Sequence, residues 1–303
     1  MAKTLPVWRS LMYVPVNVEK YVDKAHTRGA DVIQLDLEDS VPPAEKDRAR
    51  TLVQAAAARV RRGGADVVVR INRPLSMAVR DIEEAVGPDV DGLACTKVDS
   101  ASHLRLLDEL VTELEEKRGL AVGHTKFIAM IETPDAFFRI HEIANACART
   151  VACVIGGEDF ALNCNMQPTG EALFYPKQHM VIAANAAGIM PLGFIDSVAG
   201  FGDWDKFRAM VRRSRDFGFM GAGCIHPGQV TIVNEEYTPR DEEVEYARKI
   251  IALDRDAAAS GRGSFSLDGK MIDIPIIVRA QKLIARYDAI KAREAKTLAA
   301  MKG

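Results

Sequence analysis

Apolar residues gather in eight short, β-rich runs along the chain: LMYVPV (11–16), VIQLDLED (32–39), VVVRIN (67–72), GLACTKV (92–98), KFIAMIET (126–133), VACVIGGEDF (151–160), MPLGFIDS (190–197) and FMGAGCIHP (219–227). They recur about every 30 residues, the length of one strand–helix unit. Between them the apolar positions switch to helical spacing. Val18, Tyr21, Val22 and Ala25 share one helix face, as do Ala49, Leu52, Val53 and Ala56, and again Leu107, Leu110, Val111 and Leu114. Ser100 stands where it would cap the last of these helices, and Gly63, Gly64 and Gly188 stand where helices should stop.

The strand runs are almost continuously apolar, which suits parallel strands covered on both faces. Eight successive units predict closure into a (β/α)8 TIM barrel over residues 1–239. The rival is an open doubly wound sheet. No Gly-x-Gly-x-x-Gly turn follows the first run, which weakens its dinucleotide-binding form. After residue 240 the pattern changes to a charged helical stretch, a Gly/Ser-rich turn at 261–269 and the run IDIPIIVRAQKLIARY (272–287). These predict a C-terminal helical extension over 240–303, which either completes the outer helix ring or reaches a neighbouring subunit.

Composition narrows the class. Of 303 residues, 48% are hydrophobic and 27% charged, as in soluble globular proteins. The net charge is −2 with signs interspersed, so no nucleic-acid or acidic-membrane partner is expected. Cys95, Cys147, Cys153, Cys164 and Cys224 lack metal-type spacing and read as buried thiols in a reducing compartment. The opening MAKTLPVWRS has no signal-peptide core, and no apolar run reaches the ~20 residues of a bilayer span. A cytoplasmic location is the expectation.

In a barrel of this type the chemistry sits where the strands end. Here the strand ends carry Asp36, Glu38 and Asp39, then Arg70 and Asn72, Lys97, Glu132, Glu158 and Asp159, Asp196 and Ser197, and finally His226. Acids outnumber bases, and like charges crowded in one concave mouth call for a cation. The candidate ligands are carboxylates, which favour Mg2+, or Mn2+, over Zn2+. Glu132 and Asp159 form the better ligand pair, because each follows a strongly apolar strand and precedes a turn. Strand alternation puts Asp36 and Glu38 on one face and Asp39 on the other. That places them outside the ligand set or on a proton-transfer path. Arg70 ends an all-valine run, so its planar fork must meet anions: a substrate carboxylate or enolate, or Asp36 or Glu38. His226, in Ile-His-Pro, reads either as a general base or as a structural histidine.

Seven motifs then fall in order: VPVN (14–17), DLED (36–39), RIN (70–72), IET (131–133), GGEDFA (156–161), IHPGQV (225–230) and DGKMIDIPIIVRA (268–280). Together they resemble the citrate lyase β-subunit-like family, which groups with the HpcH/HpaI aldolases and malyl-CoA lyases among pyruvate/phosphoenolpyruvate barrels. The resemblance implies Mg2+ on Glu132 and Asp159, Arg70 and Glu132 on the oxo acid, and Asp36, Glu38 and Asp39 as the acidic strand end. It implies that Asp273 acts as acid/base from a C-terminal lid over a neighbouring subunit's site, in a homotrimer or hexamer. The implied activity is Mg2+-dependent cleavage of a β-hydroxyacyl-CoA, such as malyl-CoA or citramalyl-CoA, to an acyl-CoA and an α-oxo acid through an enolate. The alternatives are a CoA-independent aldolase for free hydroxy-keto acids and a β subunit of a citrate lyase complex. The chain departs from many relatives in having Ala222 for Lys, Lys177 for Arg and Val16 for Gly. Loss of the lysine is expected to remove a cation from the mouth.

Overall fold

The computed structural model describes residues 5–196, 202–259 and 264–302, which fall into two compact units that divide between Tyr237 and Thr238. Ser197 lies outside the described residues. In the first unit eight parallel strands stand in sequence order: β1 (Ser10–Pro15), β2 (Val32–Asp36), β3 (Asp66–Ile71), β4 (Gly92–Cys95), β5 (Lys126–Ile131), β6 (Thr150–Ile155), β7 (Met190–Leu192) and β8 (Ala222–Cys224). β1 pairs with β8, so the sheet curls back on itself. A parallel bridge between Leu192 and Gly221 joins β7 to the start of β8 and completes the round. Gly221 is required there, because a Cβ would sit 1.9 Å from the Trp8 carbonyl oxygen. Helices follow the strands, as a (β/α)8 barrel requires.

The continuous apolar runs resolve into two alternating rows. One row (Ile33 and Leu35, Val67 and Val69, Phe127, Ala129 and Ile131) joins the large core between strands and helices. The other row (Leu11, Val32, Val68, Ala94, Ile128, Met130 and Ala152) forms a smaller cluster inside the barrel. Strand residues two apart share a face, so the inner row continues upward from Val32 to Gln34 and Asp36, from Val68 to Arg70, and from Met130 to Glu132. The barrel is therefore oily at its base and charged at its mouth.

The expected helices form, with one difference. The segment around Ala49–Ala56 is two helices, Lys46–Thr51 and Val53–Val60. At Leu52 the backbone N–H bonds to Ala49, three residues back, and this tighter turn breaks the run. The Ser100 hydroxyl caps helix Ala101–Lys117 by accepting from the His103 N–H. Gly64 and Gly188 end their helices in the left-handed conformation that glycine adopts most readily.

The second unit has its own small core. Helix Asp241–Ala259 packs on helix Ile274–Lys302, with β9 (Phe265–Leu267) and β10 (Lys270–Ile272) forming an antiparallel hairpin beside them. Ala247, Ile250, Ile272, Ile277 and Ala280 are its buried members. All five cysteines are free thiols, with Cys95, Cys153 and Cys224 buried. Among the described residues no helix is long and apolar enough to cross a membrane.

Replacing Ser100 by Ala is expected to lower the unfolding free energy by about 1 kcal/mol. Urea denaturation reads this directly, and an unchanged midpoint would show that the cap bond adds nothing.

Candidate active site

Strand register brings the first charges together. Asp36 and Arg70 are direct neighbours across β2 and β3. Arg70 Nε and Nη2 donate to the two Asp36 carboxylate oxygens at 2.8 and 2.7 Å, a bidentate fork. Its Nη1 lies 2.8 Å from Glu38 Oε2 and 3.4 Å from Asp39 Oδ2. Burial alone would raise the Asp36 carboxyl, but Arg70's hydrogen bonds and charge outweigh it and hold Asp36 below the usual range. Glu38 is shifted the other way, because burial outweighs Arg70 and Lys97 there.

Asp39 corrects an expectation. Alternation would have turned it away from Asp36 and Glu38, yet it faces the same guanidinium. β2 ends at Asp36, and the chain then turns, with the Glu38 and Ser40 N–H groups donating to the Asp36 carboxylate. The period-two rule stops where the ladder stops.

Glu132 sits one residue past β5, 2% exposed. One oxygen, Oε2, accepts from the Lys97 backbone N–H at 2.6 Å. The other rests over Gly156, where a Cβ would come within 2.4 Å of Oε1. Glycine at 156 thus makes the cradle that Glu132 fills. Burial pushes the Glu132 carboxyl up to about 7; Lys97 opposes the shift, while Asp159 and Glu38 add to it. Asp159 stands in the first turn of helix Gly157–Asn163, and its Oδ1 lies 3.5 Å from Lys97 Nζ. That ammonium also donates to Glu38 at 2.8 Å.

Glu132 and Asp159 line a cavity of about 1010 Å³ together with Asp36, Asp39, Arg70 and Lys177. Glu38 and Lys97 contact the acids that line it without being among the lining residues themselves. Among the described residues no three His, Cys, Asp or Glu side chains form a metal cage. The pair fits a hard divalent cation that takes its remaining ligands from water and substrate, as Mg2+ commonly does. The Gly156 cradle and the crowding of negative charge on Glu132 both favour such an ion.

One further mouth residue, Tyr13, was not singled out by sequence patterning. The Tyr13 ring lies beneath Arg70, with the guanidinium carbon 5.0 Å from its centroid, and its hydroxyl pairs with Gln34, its register neighbour on β2. Gly223 gives that ring its space, since a Cβ there would be 2.8 Å from Tyr13 Cε2. A tyrosine inside an otherwise apolar run was the available signal. Lys97 was visible as a strand-end cation, but its contacts depend on a left-handed backbone with φ 47°, which no pattern announces.

The remaining expectations sort as follows. Ala222 is fully buried in the layer between strands and helices. A lysine's absence at this outward-facing position therefore takes no cation from the mouth. Lys177 lines the cavity and donates to the Asp196 carbonyl at 3.0 Å; burial brings its ammonium down to about 8. His226 caps helix Pro227–Glu236, its Nδ1 accepting from the Gly228 N–H while Gln229 closes the capping box. This supports the structural reading of His226, although the ring also borders the cavity. Asp273 lies in the second unit, between β10 and the last helix, where its carbonyl accepts from the Ile276 and Ile277 N–H groups.

Residues 9–227 match the model of the HpcH/HpaI aldolase/citrate lyase family. The chain belongs to that family. With it, the protein is a lyase of the aldolase/citrate lyase type. It is 34% identical to a citrate lyase subunit beta of Leuconostoc mesenteroides over 93% of both chains. It is 32% identical to an L-malyl-CoA/beta-methylmalyl-CoA lyase of Cereibacter sphaeroides, over 94% of this chain and 96% of the relative. Its fold is similar to that of protein CitE from Mycobacterium tuberculosis in complex with magnesium, acetoacetate and coenzyme A. The TM-score is 0.70 at 25% identity, covering 94% of this chain and 99% of that one.

Gly156→Ala should drive Glu132 from its cradle and destabilise the fold by about 1–3 kcal/mol. The same change in a Glu132→Ala background should cost less, so the double-mutant cycle should be non-additive; additive penalties would place the clash elsewhere. Lys177 supplies a pH signature. Its ammonium falls from an ordinary 10.5 to about 8 in the folded chain. Below 8 both states hold the proton; between 8 and 10.5 only the unfolded state does, so stability should rise with pH across that window. The rise should vanish in Lys177→Met, measured as the difference between the two unfolding curves.

Proposed function

We propose that the protein is a Mg2+-dependent lyase that cleaves a β-hydroxyacyl-CoA of the malyl-CoA or citramalyl-CoA type into an acyl-CoA and an α-oxo acid. The observation that carries this reading is the convergence of Glu132, Asp159 and the Asp36-held Arg70 on one deep cavity. The malyl-CoA lyase and the CitE complex with magnesium and coenzyme A are relatives that support it. The cavity rim adds Lys20, Lys24 and Arg28, all exposed and spaced by four residues. Such a cationic row suits the phosphates of a CoA thioester.

Glu132 and Asp159 would hold the ion, with Mn2+ able to replace Mg2+ on the same oxygen donors. When bound, the ion supplies Lewis-acid polarisation of the substrate's oxygens. The chain does the rest. Arg70, with Nε and Nη2 on Asp36 and Nη1 facing Glu38 and Asp39, is held on the cavity wall, where its guanidinium would meet the oxo acid. Glu38 backs Arg70 and Lys97, while Asp39 stands on the cavity wall beside Arg70. Cleavage would pass the β-hydroxyl proton to a carboxylate of the Asp36–Glu38–Asp39 strand end and move the electron pair of the C–C bond into the thioester carbonyl, leaving an enolate and the α-oxo acid. Asp273, brought by a neighbouring copy in a homotrimer or hexamer, would protonate the enolate carbon.

The test is release of CoA thioester products and of glyoxylate or pyruvate from malyl-CoA and citramalyl-CoA, with Mg2+ and with EDTA. Turnover should need the ion and fall by about a hundredfold or more in Asp159→Ala. Cleavage of free hydroxy-keto acids alone would turn the reading to a CoA-independent aldolase, and turnover only with added subunits would turn it to a citrate lyase β subunit.

A further inference from the structure

Lys97 meets the acids of the mouth through both its backbone and its side chain. Its backbone N–H fixes Glu132 Oε2 at 2.6 Å, and its carbonyl accepts from Arg73 Nε at 2.9 Å. Its ammonium lies 2.8 Å from Glu38 Oε1 and 3.5 Å from Asp159 Oδ1. It does all this at φ 47°, a left-handed conformation that glycine would adopt without strain. A lysine is uncommon in that conformation, and here both its backbone and its ammonium are engaged by the same cluster. The two ammonium contacts are unequal: close and hydrogen-bonded to Glu38, looser to Asp159.

We propose that Lys97 is a positioning residue that serves as the acid cluster's own cation: it holds Glu38 and Asp159 together before a divalent ion binds, then yields Asp159 and withdraws onto Glu38. The inference rests on the reading of Glu132 and Asp159 as the ion's ligands. Geometry supports the withdrawal. Glu132 and Asp159 line the cavity, and the Lys97 ammonium is hydrogen-bonded to Glu38, a nearly buried acid, but only loosely paired with Asp159, so the short contact is the one that survives loading. A positive charge this close to the ligands also repels the incoming ion. Lys97 therefore sets an upper limit on metal affinity while keeping the ion-free carboxylates from repelling one another.

A residue that merely supports the fold and one that competes with the ion give opposite signs. Loss of a support should weaken metal binding. Loss of a competitor should tighten it. Mn2+ binding is followed by the free-ion electron paramagnetic resonance signal at pH 8.5, with melting temperature recorded in EDTA and in saturating Mn2+. Lys97→Met is expected to bind Mn2+ on the order of tenfold more tightly than wild type, to melt lower in EDTA and to gain more on metal addition. Lys97→Arg should stay near wild type, and Lys97→Gln gives the same reading as Lys97→Met should the latter fail to fold. Unchanged or weaker Mn2+ binding in the neutral variants, with wild type binding normally, overturns the role of Lys97 and leaves the metal reading intact. Absence of Mn2+ binding by wild type itself overturns both.

Discussion

A charged side chain inside a barrel must be paired or expelled, and the pairing of Arg70 with Asp36 organises the whole mouth. The pair is a consequence of parallel register: β2 and β3 are aligned so that the last inward residue of one stands against the guanidinium of the other. Asp36 therefore stays ionised despite its burial. Once fixed, Arg70 collects Glu38 and Asp39, and Glu38 in turn collects Lys97. Lys97 then carries the network across to Glu132 and Asp159. Five strand ends, β2 to β6, are thus coupled by charge, not merely placed side by side.

Beneath this network the same inner row is apolar. Desolvation by that floor lifts Glu132 to about 7 and Glu38 above its ordinary value. The floor thus acts as a low-dielectric base that makes charge at the mouth costly, so each fixed charge gains from a partner and an incoming cation gains from the acids. Stability of the barrel and reactivity of its mouth come from one alternation of side chains read at different heights.

Much of this was legible in the sequence. All eight strand runs form strands of one barrel, because continuous apolar runs of that length can be buried on both faces only in such a setting. The convergence of Asp36, Arg70, Glu132 and Asp159 followed from their positions at strand ends. What stayed hidden depended on local backbone geometry. Asp39 turned inward because the ladder ended sooner than the apolar run suggested. Ala222 faces outward because the β1–β8 register sets Gly223 beside the inward Leu11 and Ala222 beside Ser10, a parity that the sequence around the missing lysine does not announce. Lys97 needed a positive φ, and Tyr13 needed the space at Gly223, before either could reach Glu132 or Arg70.

The fit between Tyr13 and Gly223 reaches beyond support of one arginine. These residues lie on the first and last strands, and the β1–β8 pairing makes them neighbours at the barrel's seam. The ring occupies the volume that a side chain at 223 would claim. The two positions therefore behave as a single steric unit and should drift together in evolution, bulk at one being exchanged for bulk at the other. A family member with a larger residue at the last strand would be expected to carry a smaller one at the first, and its arginine would rest on a different floor.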